Sequence, residues 1–207
     1  MDAYGNLTTQ AEFSGGRHIR LISYLGQDCA IGATGTIEPG VMGIPMLVSP
    51  QVGLHHLSAG DPQRTVFIAN ACPGGFTLSR AADPRQQLAW GGERQSLTLA
   101  NAEVSGIAVQ PVFIVEFVDG VWFNLRTQDG SLVVDCAGGD TNEGQPLLAW
   151  EGNGGDNQKW RAEMVAPLLG AEHAPAGAPA ASPPPPPAPA PSALDRVKVF
   201  FRRLFGG

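Results

Sequence analysis

Charge is what this chain has least of. Asp, Glu, Lys and Arg make up 15% of its 207 residues, and lysine occurs only as Lys159 and Lys198. A surface so poor in charge must rest on neutral polar and glycine-rich loops. The net charge of −6 is unevenly spread. Arg196, Lys198, Arg202 and Arg203 against Glu172 and Asp195 give residues 171–207 a local +2, which leaves −8 on residues 1–170. An acidic body argues against nucleic acid as a partner, because phosphate contacts need a basic footprint. Cysteine is also sparse. Cys29, Cys72 and Cys136 make neither a metal-ligand spacing nor an even disulfide set, and they read as small buried hydrophobes. No apolar run approaches the roughly 20 residues of a membrane-spanning helix. The opening MDAYGNLTTQAEF has neither the basic nor the apolar stretch of a secretory signal. The expected location is therefore cytoplasmic, or outside the cell by a signal-free route. Catalytic signatures are missing too: the chain has no Gly-x-Ser-x-Gly elbow, no His-Glu-x-x-His and no phosphate-cradling Gly-Lys-Ser/Thr. A binding protein is expected rather than an enzyme, without cofactor or metal.

What the chain does have is 43% hydrophobic residues, 27 glycines and 18 prolines. That profile fits short strands and turns better than helices. Three segments open alike, IRLIS at 19–23, FTLSR at 76–80 and FNLRT at 123–127. A second echo links DPQRTVFIAN at 61–70 with DNQKWRAEMV at 156–165, and VFIVEFV at 112–118 closes the middle segment. Three units of about 50 residues, each of several short strands, predict a closed all-β assembly.

A boundary falls near residue 170. Residues 169–193 are almost entirely Ala and Pro, with five consecutive prolines at 183–187. Such a stretch cannot bury a core and favours extended polyproline II, a spacer that could reach roughly 70 Å at about 3.1 Å per residue. Beyond it, Leu194, Val197, Phe200, Phe201 and Leu204 fall at helical spacing, with Arg196, Lys198, Arg202 and Arg203 away from them. Residues 194–207 thus predict a short basic amphipathic helix, marginal alone in water and suited to docking on a protein assembly or a membrane surface.

Residues 122–163 carry the most specific pattern. Asp135 follows a short strand, Gly144 comes nine residues on, Trp150 six further, and Asn157, Gln158 and Trp160 close the segment as Asn-Gln-x-Trp. The whole set resembles a repeat of the ricin-B-type lectins, whose hallmark is Gln-x-Trp. The resemblance implies a β-trefoil of three repeats over residues 15–168, with residues 1–14 as an N-terminal extension. It implies carbohydrate, of galactose type, as ligand. Asp135, Trp150 and Asn157 would then touch the sugar, Gln158 would hold Asp135, and Trp160 would sit in the core. The chemistry agrees. A carboxylate accepts hydrogen bonds from vicinal hydroxyls, a carboxamide donates and accepts at once, and an indole covers the apolar face of a pyranose. One departure is Leu148, two residues before the aromatic, where the family often has a polar side chain.

The other two repeats look degenerate as sites. Gln27-Asp28-Cys29-Ala30 resembles Val134-Asp135-Cys136-Ala137 but lacks an aromatic at the expected distance, and Thr65 stands where Trp160 would fall. Trp90 has no obvious carboxylate partner. The pair His55-His56 reads as loop surface, with no third ligand to make a metal site. Two readings of function follow. One is a carbohydrate-binding module with a single competent site in the third repeat, tethered by its tail. The other is a structural or cargo trefoil that docks through residues 194–207.

Overall fold

The computed structural model describes residues 1–34, 37–39, 45–47, 51–58, 61–101 and 111–167. The expected linker at 169–193 and the expected docking helix at 194–207, with Leu194, Val197, Phe200, Phe201 and Leu204, lie outside the described residues.

Short runs of β-branched and aromatic residues, cut by glycine-rich turns, form the strands. In chain order they are β1 (Arg17–Ser23), β2 (Cys29–Thr34), β3 (Ile37–Pro39), β4 (Pro45–Leu47), β5 (Gln51–His56), β6 (Phe67–Cys72), β7 (Gly75–Arg80), β8 (Asp83–Ala89), β9 (Thr98–Asn101), β10 (Phe113–Asp119), β11 (Trp122–Thr127), β12 (Leu132–Cys136), β13 (Gln145–Glu151) and β14 (Trp160–Met164). The three similar openings of the sequence fall in β1, β7 and β11 and begin three like units. The first and last main strands of each unit build a closed ring, in the order β1, β6, β7, β10, β11, β14 and back to β1. Closure leaves the ring without a free edge. The two inner strands of each unit form hairpins, β2–β5, β8–β9 and β12–β13. These meet as a cap through pairings of β5 with β13 and with β9, and through a bridge from Ser96 to Leu148. Six ring strands under three hairpins are a β-trefoil.

The core follows from strand periodicity. Alternate residues of each ring strand point inward: Ile19 and Leu21, Phe67 and Ala69, Phe76 and Leu78, Phe113 and Val115, Phe123 and Leu125, Trp160 and Ala162. Fully burying a Leu or Phe side chain contributes about 1.5–3 kcal/mol. Each unit sets one of these residues directly against a large partner across the ring: Ile19 faces Phe67, Phe76 faces Phe113, and Phe123 faces Trp160. Phe67 therefore occupies in the first unit the place that Trp160 holds in the third. This corrects the expectation that placed Thr65 there. The 3-10 turn before β6 runs Pro62–Thr65, one residue longer than its counterpart Asp156–Gln158, so the core position falls later in the sequence. Thr65 instead accepts a hydrogen bond from Arg20 Nε at 3.0 Å.

Close approach of β7 and β10 needs Gly75. A Cβ there would lie 2.2 Å from the carbonyl oxygen of Phe113, which no side chain could accommodate. Residues 1–14, set apart in the sequence as an extension, also feed the core. Leu7 N donates to Ala162 O at 2.8 Å, and Leu7 is fully buried. Phe13 stacks on Phe76 at 4.6 Å between centroids and meets Phe123 edge-on at 5.5 Å. Phe13 thus packs between the opening strands of the second and third units. Among the described residues no helix is long and apolar enough to cross a membrane.

Because Phe13 is an integral part of this core, Phe13→Ala is expected to destabilise the protein by about 3–5 kcal/mol in urea denaturation. An unchanged midpoint would show that residues 1–14 merely rest on the barrel.

Candidate functional site

The candidate site lies where the third hairpin meets the turn leading into β14. On β12 all five residues are buried, and Asp135 is its fourth. Across the hairpin Asp135 faces Leu148, and Val133 faces Trp150. Asn157 and Gln158 sit on the single 3-10 turn Asp156–Gln158. That turn is prepared by the preceding loop, in which Asn153 Oδ1 accepts from Gly155 N at 2.7 Å. Such a local side-chain bond favours a turn over continued strand. Just downstream, Trp160 is fully buried and its indole N–H donates to Val134 O at 2.9 Å. The anchored indole fixes where the turn stops, and so fixes both amides relative to β12.

The sequence-expected residues Asp135, Trp150, Asn157 and Gln158 are brought together. Gln158, fully buried, donates to Asp135 Oδ2 at 2.8 Å and to Glu151 O at 2.9 Å, while its carbonyl accepts from Asn153 N at 2.9 Å. It spans three segments and is out of reach of solvent. Asn157 Nδ2 donates to Asp135 Oδ1 at 2.9 Å and to Cys136 O at 3.2 Å. Both amide protons of Asn157 are thus committed, and its carbonyl oxygen is the group that remains. Each carboxylate oxygen of Asp135 accepts one of these bonds. A carboxylate has about four acceptor sites, so roughly two are left. Burial pushes the Asp135 carboxyl above its usual range, opposed by the bonds from Gln158 and Asn157. Although Asp135 is only 5% exposed, it opens onto a cavity of about 230 Å³ that is also lined by Gly138, Leu148, Trp150, Asn153 and Asn157.

Two residues at this site had no mark in the sequence. Asn153 shares the cavity wall and comes from a glycine-rich loop whose composition reads simply as a turn. Arg94 comes from a different unit, in the loop between β8 and β9. Its guanidinium lies 4.9 Å from the centroid of the Trp150 ring, so one face of the indole carries a cation. Its backbone N–H donates to Ala149 O at 2.7 Å. Arg94 is the one non-glycine residue with positive φ (62°) among those described. A cation over an indole contributes about 0.5–1 kcal/mol at an exposed position.

Among the described residues, the first and second units present nothing comparable. Asp28 had seemed the counterpart of Asp135, but it precedes β2 at the open end of the first hairpin, whereas Asp135 lies near the tip of the third. Trp90 is 7% exposed and belongs to the core. His55 and His56, expected on loop surface, are the last two residues of β5. His55 is 4% exposed and its Nδ1 lies 2.6 Å from Glu143 Oε1.

No protein-family profile matches the chain, and no curated protein matches it in sequence. Solved structures do. The Macrolepiota procera ricin B-like lectin in complex with lactose is 16% identical, with a TM-score of 0.54 over 73% of this chain and 98% of that one. The designed three-fold symmetric protein ThreeFoil is 13% identical, with a TM-score of 0.55 over 72% of this chain and 99% of that one. A mosquitocidal holotoxin is 18% identical with a TM-score of 0.57, over 73% of this chain but only 16% of the toxin chain. At such identities the likeness is one of architecture, and it agrees with the ring, the cap and the three-fold repeat described above. The chain has the β-trefoil fold of these structures.

Proposed function

We propose that this trefoil is a carbohydrate-binding module with one competent site, the cavity of the third unit. The observation that carries this reading is the placement of Asp135. Its carboxylate is held by two side-chain amides, keeps about two acceptor positions, and opens onto a cavity walled by an indole. Vicinal hydroxyls of a pyranose would donate to those positions, and the Asn157 carbonyl would take a third hydroxyl. Trp150 would pack against the apolar face of the sugar, with Arg94 on the indole supporting it from the neighbouring unit. Gln158 acts only through Asp135, because it is fully buried. The cavity of about 230 Å³ is smaller than the roughly 300–1,000 Å³ that hold drug-sized ligands, which favours one sugar ring. Leu148 contributes an apolar wall in place of a hydrogen bond worth on the order of 1 kcal/mol. A single shallow site of this kind binds in the millimolar range, about −4 kcal/mol. A galactose-type sugar is the first candidate, in line with the lactose in the Macrolepiota procera lectin.

Weak single sites gain from being displayed in several copies. Residues 194–207 would supply that display by docking Leu194, Val197, Phe200, Phe201 and Leu204 on a protein assembly or a membrane surface, with residues 169–193 as the spacer. The helical spacing of those five apolar residues also supports a second reading, in which the trefoil is a structural or cargo subunit whose only binding surface is this tail.

In titration calorimetry with lactose, the wild-type chain is expected to bind at millimolar concentration and Asp135→Ala to lose at least tenfold in affinity. Equal binding by both would place the ligand elsewhere. Affinity should also depend on pH in a defined direction. The raised Asp135 pKa keeps the carboxyl protonated to a higher pH than an ordinary aspartate, and the protonated acid has given up an acceptor. Lactose affinity should therefore fall on acidification, beginning above the range where an unperturbed aspartate titrates; a flat profile would remove Asp135 from the contact. Deleting residues 171–207 should leave the lactose affinity unchanged while abolishing co-sedimentation with the assembly or membrane fraction. Retained co-sedimentation would place the docking surface on the trefoil.

A further inference from the structure

The most distinctive cluster outside the sugar cavity lies at the open end of the first hairpin. Asp28 and Cys29 enter β2, and Cys29 stands directly across from His56 at the end of β5. His56 Nδ1 lies 3.6 Å from Cys29 Sγ and 3.2 Å from Asp28 Oδ2, while Cys29 Sγ lies 3.5 Å from Asp28 Oδ1. One ligand atom from each residue can be chosen so that all three fall within 4.8 Å of one another.

We propose that Asp28, Cys29 and His56 form a binding site for a borderline-soft divalent metal ion of the zinc class. Three independent features point this way. The first is geometry. Tetrahedral zinc takes sulfur at about 2.3 Å and nitrogen or oxygen at about 2.0–2.2 Å, which sets the donors roughly 3.3–3.6 Å apart. The sulfur-to-nitrogen separation of 3.6 Å matches such an edge, and the Asp28 carboxylate sets one oxygen beside the sulfur and the other beside the nitrogen. The second is the histidine tautomer. His56 Nε2 lies 2.8 Å from the carbonyl oxygen of Thr141, which can only accept, so the ring proton is held on Nε2. Nδ1 is thereby the ring nitrogen that faces the carboxylate and the sulfur, and the proton it shares with Asp28 is the one a metal ion would displace. Metal-ligating histidines characteristically donate their other N–H to a carbonyl or carboxylate in this way. The third is space. A Cβ on Gly26 would lie 3.1 Å from Cys29 Sγ and 3.3 Å from Asp28 Oδ1, so glycine at this position keeps the donor atoms uncovered.

Charge and access agree. On binding, the Cys29 thiol gives up its proton to solvent, and the thiolate and the Asp28 carboxylate together neutralise a divalent ion. His56 binds as the neutral ring, its Nδ1 proton also leaving to solvent. The Asp28 side chain is 64% exposed and that of His56 31%, so the ion has an entry path, while Cys29 anchors it from below at 1% exposure. Three protein donors leave a fourth position for water. Donor sets of sulfur, imidazole and carboxylate favour zinc-class metals over calcium or magnesium. A nucleophilic cysteine is the less fitting reading, because burial and the neighbouring Asp28 push the free Cys29 thiol up to about 11. A bound ion would clamp the ends of β2 and β5 and, through His56 and Thr141, the loop of the third hairpin that also carries Gly138 of the sugar cavity.

Cobalt(II) titration of the full chain tests this site. One equivalent should produce a thiolate-to-cobalt charge-transfer absorption that zinc(II) displaces. Cys29→Ser should abolish the absorption, whereas Cys72→Ser and Cys136→Ser should retain it. Cys29 is a core residue, so the exposed Asp28→Asn and the half-buried His56→Gln provide the variants that keep the fold, and each should weaken zinc(II) at least tenfold in competition with a chromogenic chelator. The proposal is overturned if cobalt(II) gives no such absorption, if the absorption survives Cys29→Ser, or if Asp28→Asn and His56→Gln bind zinc(II) as tightly as the wild type.

Discussion

Closure of the six-stranded ring governs everything else in this molecule. The last strand, β14, must pair with β1 on one side and with β11 on the other. Burial of both Trp160 and Ala162 guards this register, because a slip of one residue would turn both outward. That register fixes the indole of Trp160 beneath β12, where its N–H meets the Val134 carbonyl. The turn immediately upstream then has no choice but to present Gln158 and Asn157 to Asp135. The candidate sugar site is in this sense a by-product of barrel closure: the residue that seals the core is two positions from the one that holds the carboxylate.

Polar groups at the candidate site first satisfy a buried acid, and acceptor capacity is left over. Asp135 has little solvent of its own, and a buried charge without partners would be strongly unfavourable. Gln158 and Asn157 meet that requirement with one hydrogen bond to each oxygen. What remains for a ligand is acceptor capacity on Asp135 and Asn157, beside an indole already carrying a guanidinium from another unit. A site of acceptors suits a partner rich in hydroxyl donors, which is what a sugar is.

Much of this was legible in the sequence. Strand alternation, glycine-rich turns and three like openings were enough for an all-β three-fold assembly, and the run from Asp135 to Trp160 marked the unit whose residues converge. Local likeness failed where it was not backed by register. Asp28-Cys29 looks like Asp135-Cys136 but lies at the opposite end of its hairpin. Thr65 has the right distance from Asp61 to mimic Trp160, yet the longer turn hands that place to Phe67. Residues 1–14 carry no repeat and read as an extension, but Leu7 and Phe13 are buried in the core.

By itself, the sequence determined the class of fold, the three-unit division and the one unit in which a carboxylate, an indole and two carboxamides recur at workable intervals. These are properties of neighbours along the chain, and strand periodicity and turn chemistry read them directly. Only the tertiary structure decided that Arg94 lies over Trp150, that Asn157 spends both its amide protons on the protein, and that Asp28 and Cys29 meet His56. Those contacts join residues far apart along the chain, on the two strands of one hairpin, on a strand and a later turn, or in two units, and which residues meet across a closed sheet depends on register and closure, quantities that no short stretch of sequence contains.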